Sequence, residues 1–252
     1  MSTPSEGPLP VVLLHGIRLS GTMWRRVAAA VAEHRPVGVP DLPGHGRRRG
    51  EPFTMDAAAD AVAETIDGLG GRALVAGLSL GGYVAMATAA RHPERVAGLV
   101  PMGCTLRPEG WGAACYRTVA GLAARYPRWA DRLSAAAFRR TLPGPLADDV
   151  LAGGLSCEAM PQAVAAMEGS RPPEPLAAYD GPVWFVNGEN DPFRAHEREF
   201  LRACRDARLL LLPRRGHVTA LMETAEITRI LLDAATALDR CPDLSTSPPT
   251  AR

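Results

Sequence analysis

The sequence predicts an α/β fold, with a mostly parallel, doubly wound sheet and an inserted helical cap. Short apolar runs alternate with amphipathic segments, glycine-rich turns follow several of these runs, and the alternation stops for about 70 residues in the middle of the chain. Apolar runs without polar alternation are typical of strands buried on both faces of a parallel sheet. Helices then cover both faces, and ligands bind at the carboxyl ends of the strands.

The alternation begins near residue 10. It predicts the following elements before the interruption: strands at 10–14, 36–39, 72–76 and 95–100, and helices at 22–34, 54–69 and 80–92. Ser20 is predicted to cap the first helix. After the interruption the same pattern predicts strands at 182–186 and 208–212 and helices at 194–204 and 220–238.

The interruption between Leu106 and Tyr179 is rich in alanine and has a helical pattern broken by Gly and Pro. A structureless loop of that length is rare in a compact domain, so we expect a helical cap. The expected organisation is a core at 1–106 and 180–240, a cap at 107–179 and a disordered tail, rich in Ser, Thr and Pro, at 241–252.

Composition narrows the functional classes. A formal net charge of +1 provides no field to hold nucleic acid or an anionic membrane, so neither is expected as a partner. All 28 basic residues are arginine, which excludes Schiff-base catalysis and a Ser-Lys dyad and is typical of a GC-rich genome.

Features of targeting and redox chemistry indicate a cytoplasmic protein. The five cysteines are odd in number and lack any C-x-x-C spacing, so we expect reduced thiols with neither disulfides nor zinc. The first ten residues do not have the pattern of a signal peptide, and no apolar stretch is long enough for a membrane span.

The pentapeptide Gly77-Leu78-Ser79-Leu80-Gly81 lies between a predicted strand and a predicted helix. In that context the Gly-x-Ser-x-Gly pattern predicts a sharp turn that exposes the serine hydroxyl at the sheet edge. Glycines are needed two residues on either side because a Cβ would clash with neighbouring backbone. Ser79 is therefore the candidate nucleophile.

A serine nucleophile needs a base, and His217 is the candidate because it follows the last strand at the same edge of the sheet. The base in turn needs a buried carboxylate. Asp191 follows the preceding strand and is favoured, with Glu189 as its rival, because Glu189 is interpreted as a turn residue. The strand ending near Val100 is followed by no carboxylate, which removes another common location for the acid.

The intermediate of acyl transfer requires two donors that face its oxyanion. We expect these to be the backbone N–H groups of Leu80, at the start of a helix, and Ile17, in the turn after His15-Gly16.

Taken together, these motifs resemble the α/β-hydrolase superfamily, and a compact bacterial member with a helical cap in particular. The resemblance rests on His15-Gly16, Asp41-x-Pro43-Gly44-His45-Gly46, Gly77-x-Ser79-x-Gly81-Gly82, Gly188-x-x-Asp191 and Gly216-His217. It implies a triad of Ser79, His217 and Asp191, and it suggests that Asp41 and His45 shape the loop beside the site. Members with similar features include a carboxylesterase that trims pimeloyl esters and a menaquinone-pathway lyase.

The sequence therefore predicts hydrolysis of an ester or thioester. The expected substrate is small to medium in size, largely apolar, and either a free small molecule or an acyl group bound to a carrier. No cofactor or metal is expected. A lyase that uses the same triad, in natural-product biosynthesis for example, and a non-catalytic binding protein are the alternatives. Trp111, Tyr116, Trp129 and Met160 are candidate pocket residues in the cap. The seven arginines from Arg107 to Arg140 are candidates for binding an anionic substrate, although a solvated helix face is the favoured explanation for these seven. Arg214 and Arg215, close to His217 in the sequence, are slightly better candidates. The oligomeric state stays open.

Overall fold

A six-stranded parallel sheet lies at the centre of the molecule. The structure, a computed structural model, describes residues 7–240, so the predicted tail at 241–252 lies outside the described residues. The strands are β1 (Val11–Leu14), β2 (Val37–Gly38), β3 (Ala73–Leu78), β4 (Val96–Met102), β5 (Val183–Gly188) and β6 (Ala207–Leu212). Their order is β2-β1-β3-β4-β5-β6, with all neighbours parallel. The predicted fold class is confirmed.

Ten α-helices surround the sheet in the described part of the chain. They are α1 (Arg25–Ala32), α2 (Met55–Asp67), α3 (Leu80–Arg91), α4 (Gly110–Arg125), α5 (Pro127–Thr141), α6 (Gly144–Leu151), α7 (Met160–Gly169), α8 (Glu174–Ala177), α9 (Glu197–Ala203) and α10 (Thr224–Arg240). Thr54 caps α2 by accepting a hydrogen bond from the Ala57 N–H at 3.0 Å.

The prediction that the Ser20 side chain caps the first helix is wrong. Ser20 precedes a 3₁₀ turn at Gly21–Trp24, and its hydroxyl bonds the Thr22 hydroxyl at 2.9 Å instead of a helix N–H. Thr22 Oγ1 in turn accepts the N–H of Gly153, between α6 and α7. A tertiary contact with the loop between α6 and α7 has therefore replaced the N-terminal cap of the helix.

The core consists of two layers separated by the sheet. Along β1, Val12 and Leu14 pack with α2, α3 and α9, whereas Val11 and Leu13 pack with α1 and α10. Successive side chains of a strand point to opposite faces, so a strand covered on both faces must be apolar throughout. This explains the uninterrupted apolar runs in the sequence.

The predicted cap contains five helices, α4 to α8, all between β4 and β5. We use "cap" for residues 107–179; the exact domain boundaries stay a prediction. Buried residues of α4 and α7 join one core layer, those of α6 join the other, and α5 contributes Ala130 to the first and Phe138 to the second. Among residues 7–240, no helix combines the length and the apolar character that membrane crossing requires.

The topology fixes where a ligand site can form. From β1 the chain moves outward to β2, and it then returns past β1 to β3. The loops that follow β1 and β3 therefore diverge, and this leaves a crevice at the carboxyl ends of these two neighbouring strands. His15 follows β1 and Ser79 follows β3, so both border this crevice.

Candidate active site

Ser79 forms a strained turn between β3 and α3. It is the single residue between the two elements, and its backbone has φ 55° and ψ −116°, a region that side-chain-bearing residues rarely adopt. Its N–H donates to the Met102 carbonyl on β4 at 2.8 Å, and its carbonyl accepts the Gly82 N–H at 2.9 Å. The fold therefore holds Ser79 in a strained conformation at the strand end.

Two glycines make this turn possible. A Cβ on Gly77 would overlap the backbone of Gly81, and a Cβ on Gly81 would overlap the carbonyl group of Leu14 on β1. Backbone atoms of a central sheet cannot move aside, because they are fixed by ladder hydrogen bonds and packing. Both glycines are thus required by close approach of the main chain.

We expect Gly81→Ala to destabilise the protein by about 3 kcal/mol or more, because the added methyl group overpacks a rigid site. Gly121→Ala is the matched control: Gly121 lies in helix α4, and its added Cβ would meet nothing within 4 Å. That control should stabilise by about 0.5–1 kcal/mol. Urea unfolding of both variants measures the difference, and equal stabilities would contradict the proposed steric role.

His217 and Asp191 form a hydrogen-bonded pair. His217 Nδ1 lies 2.8 Å from Asp191 Oδ2, and the other carboxylate oxygen accepts the Phe193 N–H at 2.8 Å. The Asp191 side chain is 1% exposed and that of His217 is 22% exposed. The carboxylate is buried and fixed by two donors, whereas the imidazole has an edge open to solvent or a ligand.

Gly103 brings this pair close to Ser79. It follows β4, directly after Met102, whose carbonyl binds the Ser79 N–H. A Cβ on Gly103 would lie 2.9 Å from Asp191 Oδ2 and 3.0 Å from His217 Nδ1. The residue after β4 is therefore a glycine that leaves room for the pair, a role that sequence reasoning missed. No hydrogen bond joins Ser79 Oγ to His217 within residues 7–240.

The rival carboxylate Glu189, and a second histidine–carboxylate pair in the structure, have other contacts. Glu189 accepts the backbone N–H of Arg214 at 2.9 Å and so stabilises a turn. His92 also contacts a carboxylate, with 2.8 Å between its Nε2 and Asp60 Oδ1, but this pair lies at the far end of α3, beside the Arg91 guanidinium. Neither residue is placed to act on Ser79.

The turn after β1 lies beside Ser79. A Cβ on Gly16 would lie 3.9 Å from Ser79 Cβ, which places the His15-Gly16-Ile17 turn against the candidate nucleophile. Leu80 is the first residue of α3. Within residues 7–240, neither the Ile17 nor the Leu80 N–H donates a backbone hydrogen bond outside its own element, so both are available to a ligand oxygen.

His15 fixes the orientation of the peptide that carries the Ile17 N–H. Its Nε2 accepts the Leu42 N–H at 2.9 Å, so its proton is on Nδ1, which donates to the Gly16 carbonyl at 2.9 Å. The same carbonyl accepts the Leu19 N–H at 3.2 Å. Two donors thus hold the Gly16–Ile17 peptide plane, and the opposite edge of that plane presents the N–H.

The loop after β2 surrounds this turn, as the sequence predicts for Asp41 and His45. The Asp41 carboxylate accepts the N–H groups of Gly21, at 2.8 Å, and Arg47, at 2.9 Å. The His45 ring lies 5.1 Å from the His15 ring. Burial, assisted by the neighbouring His45, lowers the pKa of His15 to about 3, and burial also lowers the pKa of His45.

Buried neutral histidines make the protein sensitive to acid. Unfolding returns the pKa of His15 from about 3 to the ordinary value of 6.5, so the unfolded chain binds more protons between these pH values. Stability therefore falls as the pH falls below 6.5. His15 alone should account for about 2 kcal/mol between pH 7 and pH 5.

We expect His15→Asn to remove this contribution, so that the variant, although less stable at pH 7, loses less stability than the wild type on going to pH 5. Urea unfolding at the two pH values measures it. His34→Asn, at an exposed histidine, is the control and should behave as the wild type. Identical pH dependence in His15→Asn and wild type would contradict a buried neutral His15.

The predicted pocket residues differ in exposure. Trp111 is 82% exposed and Trp129 is 59% exposed, whereas Met160 is buried and Tyr116 is half-buried against the core. Their contact with substrate stays a prediction.

The predicted anion-binding arginines are mostly paired or exposed. Arg215 pairs with Glu223, and Arg214 is exposed. Of the seven arginines between residues 107 and 140, three pair with carboxylates: Arg107 with Glu109 and Glu199, Arg117 with Glu168, and Arg139 with Asp148. The other four are exposed: Arg125, Arg128, Arg132 and Arg140.

Comparison with known proteins identifies the family. The model of the alpha/beta hydrolase family matches residues 11–229, which include both halves of the core and the cap. The chain belongs to the alpha/beta hydrolase family.

Three relatives of this chain differ in sequence identity and in how much of each chain the match covers. Lipase LipV of Mycobacterium tuberculosis is 40% identical over 107 residues, which span 42% of this chain and 41% of the length of LipV. An esterase of Thermogutta terrifontis, solved with malate bound, is 26% identical with a TM-score of 0.77, over 92% of this chain and 91% of the esterase. The enol-lactonase of Burkholderia xenovorans LB400 is 22% identical with a TM-score of 0.75, over 93% of this chain and 94% of the lactonase. At that identity the likeness shows the fold alone. The family, the lipase and the esterase support a hydrolase.

Proposed function

We propose that this hydrolase cleaves a carboxylic ester or thioester through an acyl-enzyme on Ser79. One observation carries the proposal: a hydrogen bond of 2.8 Å between His217 and the buried Asp191 lies against Gly103, next to the strained Ser79. A serine hydroxyl near a carboxylate-oriented imidazole is the arrangement that acyl transfer requires.

The proposed mechanism begins with formation of the acyl-enzyme. Ser79 Oγ attacks the substrate carbonyl while His217 Nε2 accepts its proton, and Asp191 stabilises the imidazolium through Nδ1. The N–H groups of Ile17 and Leu80 bind the oxyanion of the tetrahedral intermediate. His217 then protonates the leaving alcohol or thiol, which departs and leaves the acyl group on Ser79.

The second half-reaction releases the acid. Water attacks the acyl carbonyl as His217 accepts a proton from it, and the second tetrahedral intermediate collapses as that proton returns to Ser79. The names of the lipase and esterase relatives support an ester substrate. We place the enzyme in the cytoplasm, on the reduced thiols that its cysteine pattern predicts.

The test is hydrolysis of p-nitrophenyl butyrate and of butyryl-coenzyme A in water enriched with ¹⁸O. Release of butyrate that carries ¹⁸O supports hydrolysis, and the ratio of the two rates separates ester from thioester preference. Turnover of neither compound, or release of a product without added water, would contradict the proposal and favour a binding protein or an eliminating enzyme respectively.

A further inference from the structure

Arg18 projects from the candidate oxyanion turn into the cap. It follows Ile17 directly and has φ 60°, a left-handed conformation that is uncommon for a residue with a side chain. Its carbonyl accepts the Ser156 N–H at 2.9 Å, which ties this conformation to the cap. Its guanidinium carbon lies 5.5 Å from the centre of the Phe138 ring on α5.

The positive charge of Arg18 acts on two residues of the cap. Burial raises the pKa of the Tyr116 phenol and, to about 12, that of the Cys157 thiol, and in each case the positive charge of Arg18 partly opposes the rise. Tyr116 lies on α4, and Cys157 precedes α7. The guanidinium therefore lies where the core turn meets three parts of the cap.

This cation has no anionic partner among residues 7–240. Arg18 is half-buried, its Nε is buried without a hydrogen-bond partner, and its guanidinium is in none of the ion pairs of the described residues. Asp131, also on α5, is committed elsewhere: its carboxylate accepts the Cys157 N–H and pairs with Arg49. A half-buried guanidinium with an unsatisfied donor is costly unless a ligand completes it.

The paired arginines near the site provide a contrast. Arg107, Arg117 and Arg215 each contact a glutamate, which neutralises them. Arg18 is both partly enclosed and uncompensated, and a guanidinium is suited to bidentate binding of a carboxylate.

We propose that Arg18 is a specificity-determining residue that binds a carboxylate at the far end of the acyl group of the substrate. This inference rests on the proposed function, because the acyl carbonyl must lie at Ser79 while the distal carboxylate reaches the guanidinium. Arg18 is one residue from the Ile17 N–H, so a single acyl chain can engage both. The substrate class is thus a monoester or monothioester of an aliphatic dicarboxylic acid.

The experiment compares p-nitrophenyl hydrogen adipate with p-nitrophenyl hexanoate, which have acyl groups of the same carbon number and differ in the terminal charge. We expect Arg18→Gln to lower kcat/KM for the adipate ester by about 10- to 100-fold, mainly through KM, because a charge-assisted contact to the substrate is lost. The hexanoate ester should change by less than about 3-fold. Arg18→Lys, which keeps the charge, should recover part of the adipate activity.

Arg198→Gln is the control, since Arg198 is an exposed arginine of α9 without an ion pair among residues 7–240 and should leave the ratio of the two esters unchanged. Equal losses for both esters in Arg18→Gln would indicate a structural role and overturn the proposal, as would no loss for either. Thermal unfolding of each variant shows whether the fold is retained.

Binding of free adipate provides a readout that does not depend on turnover. Calorimetric titration should show that adipate binds wild type at least about 10-fold more tightly than Arg18→Gln, and more tightly than hexanoate. If wild type cleaves neither ester but binds adipate through Arg18, the proposed hydrolysis fails and the anion subsite stands. If it cleaves both esters and binds adipate no better than hexanoate, the subsite fails and the hydrolysis stands.

Discussion

Ser79→Ala should lower kcat for p-nitrophenyl butyrate by about 10⁴- to 10⁶-fold with little change in KM. In the proposed mechanism the hydroxyl oxygen is the attacking atom, whereas substrate binding depends on the crevice and the oxyanion donors, which the substitution leaves in place. The folded state should remain intact, because Ser79 Oγ makes no hydrogen bond within residues 7–240 and Ala fits the space of Ser. Steady-state kinetics and a urea unfolding curve check the two parts.

Ser170→Ala is the matched control. Ser170 lies just after α7, and its hydroxyl donates to the Met167 carbonyl at 2.8 Å, so it carries no proposed chemistry. Activity of that variant should stay within about 2-fold of wild type. Retention of wild-type activity in Ser79→Ala would refute nucleophilic catalysis by Ser79.

Asp191→Asn should lower kcat by about 10⁴-fold, because the substitution favours the tautomer of His217 that cannot act as the base. The carboxylate accepts from both Phe193 N–H and His217 Nδ1–H, but an amide has a single oxygen. If that oxygen accepts from Phe193, the amide N–H₂ faces His217 Nδ1. The imidazole proton then moves to Nε2, which can no longer accept the proton of Ser79.

Glu189→Gln separates the two rival carboxylates. Its side chain accepts the Arg214 N–H, a contact that the glutamine oxygen can preserve, so we expect less than about 3-fold loss of kcat. A nitrogen NMR measurement of the His217 tautomer should show the proton on Nδ1 in wild type and on Nε2 in Asp191→Asn. A large loss of activity in Glu189→Gln with none in Asp191→Asn would reverse the assignment.

The sequence predicts the sheet well because its strands are buried on both faces. Each predicted strand overlaps a strand of the structure, and errors are confined to the ends, as in β3, which continues through Gly77 to Leu78. Glycine is a weak strand former, so a strand predicted from residue propensities ends before Gly77. In the structure the strand continues, because the backbone of Gly81 packs so closely that only glycine fits at position 77.

The candidate site is partly predictable for a similar reason. Ser79, Asp191 and His217 follow strands, and carboxyl ends of parallel strands meet at one edge, so strand prediction also places these residues. The roles of Gly103 and Arg18 depend on contacts with distant segments. Both residues have a positive φ, 56° at Gly103 and 60° at Arg18. A glycine in the sequence hints at such a backbone conformation, but an arginine does not.

Pairing of surface charges could not be predicted either. The sequence shows seven arginines between residues 107 and 140 but does not show that Arg117 meets Glu168 or that Arg139 meets Asp148, because side-chain pairing depends on how the cap helices pack. These contacts remove candidate anion sites that composition favours. They direct attention to Arg18, which lies outside the cap sequence.

The central claim is that an acyl group is carried by Ser79 during turnover. The most direct measurement is acid quench of the enzyme during hydrolysis of p-nitrophenyl butyrate, followed by tryptic digestion and mass spectrometry. We expect the peptide of residues 73–91, which contains Ser79 as its only serine, to gain one butyryl group, and the same peptide of Ser79→Ala to stay unmodified. Full turnover with this peptide unmodified, or with the butyryl group on another residue, would contradict it.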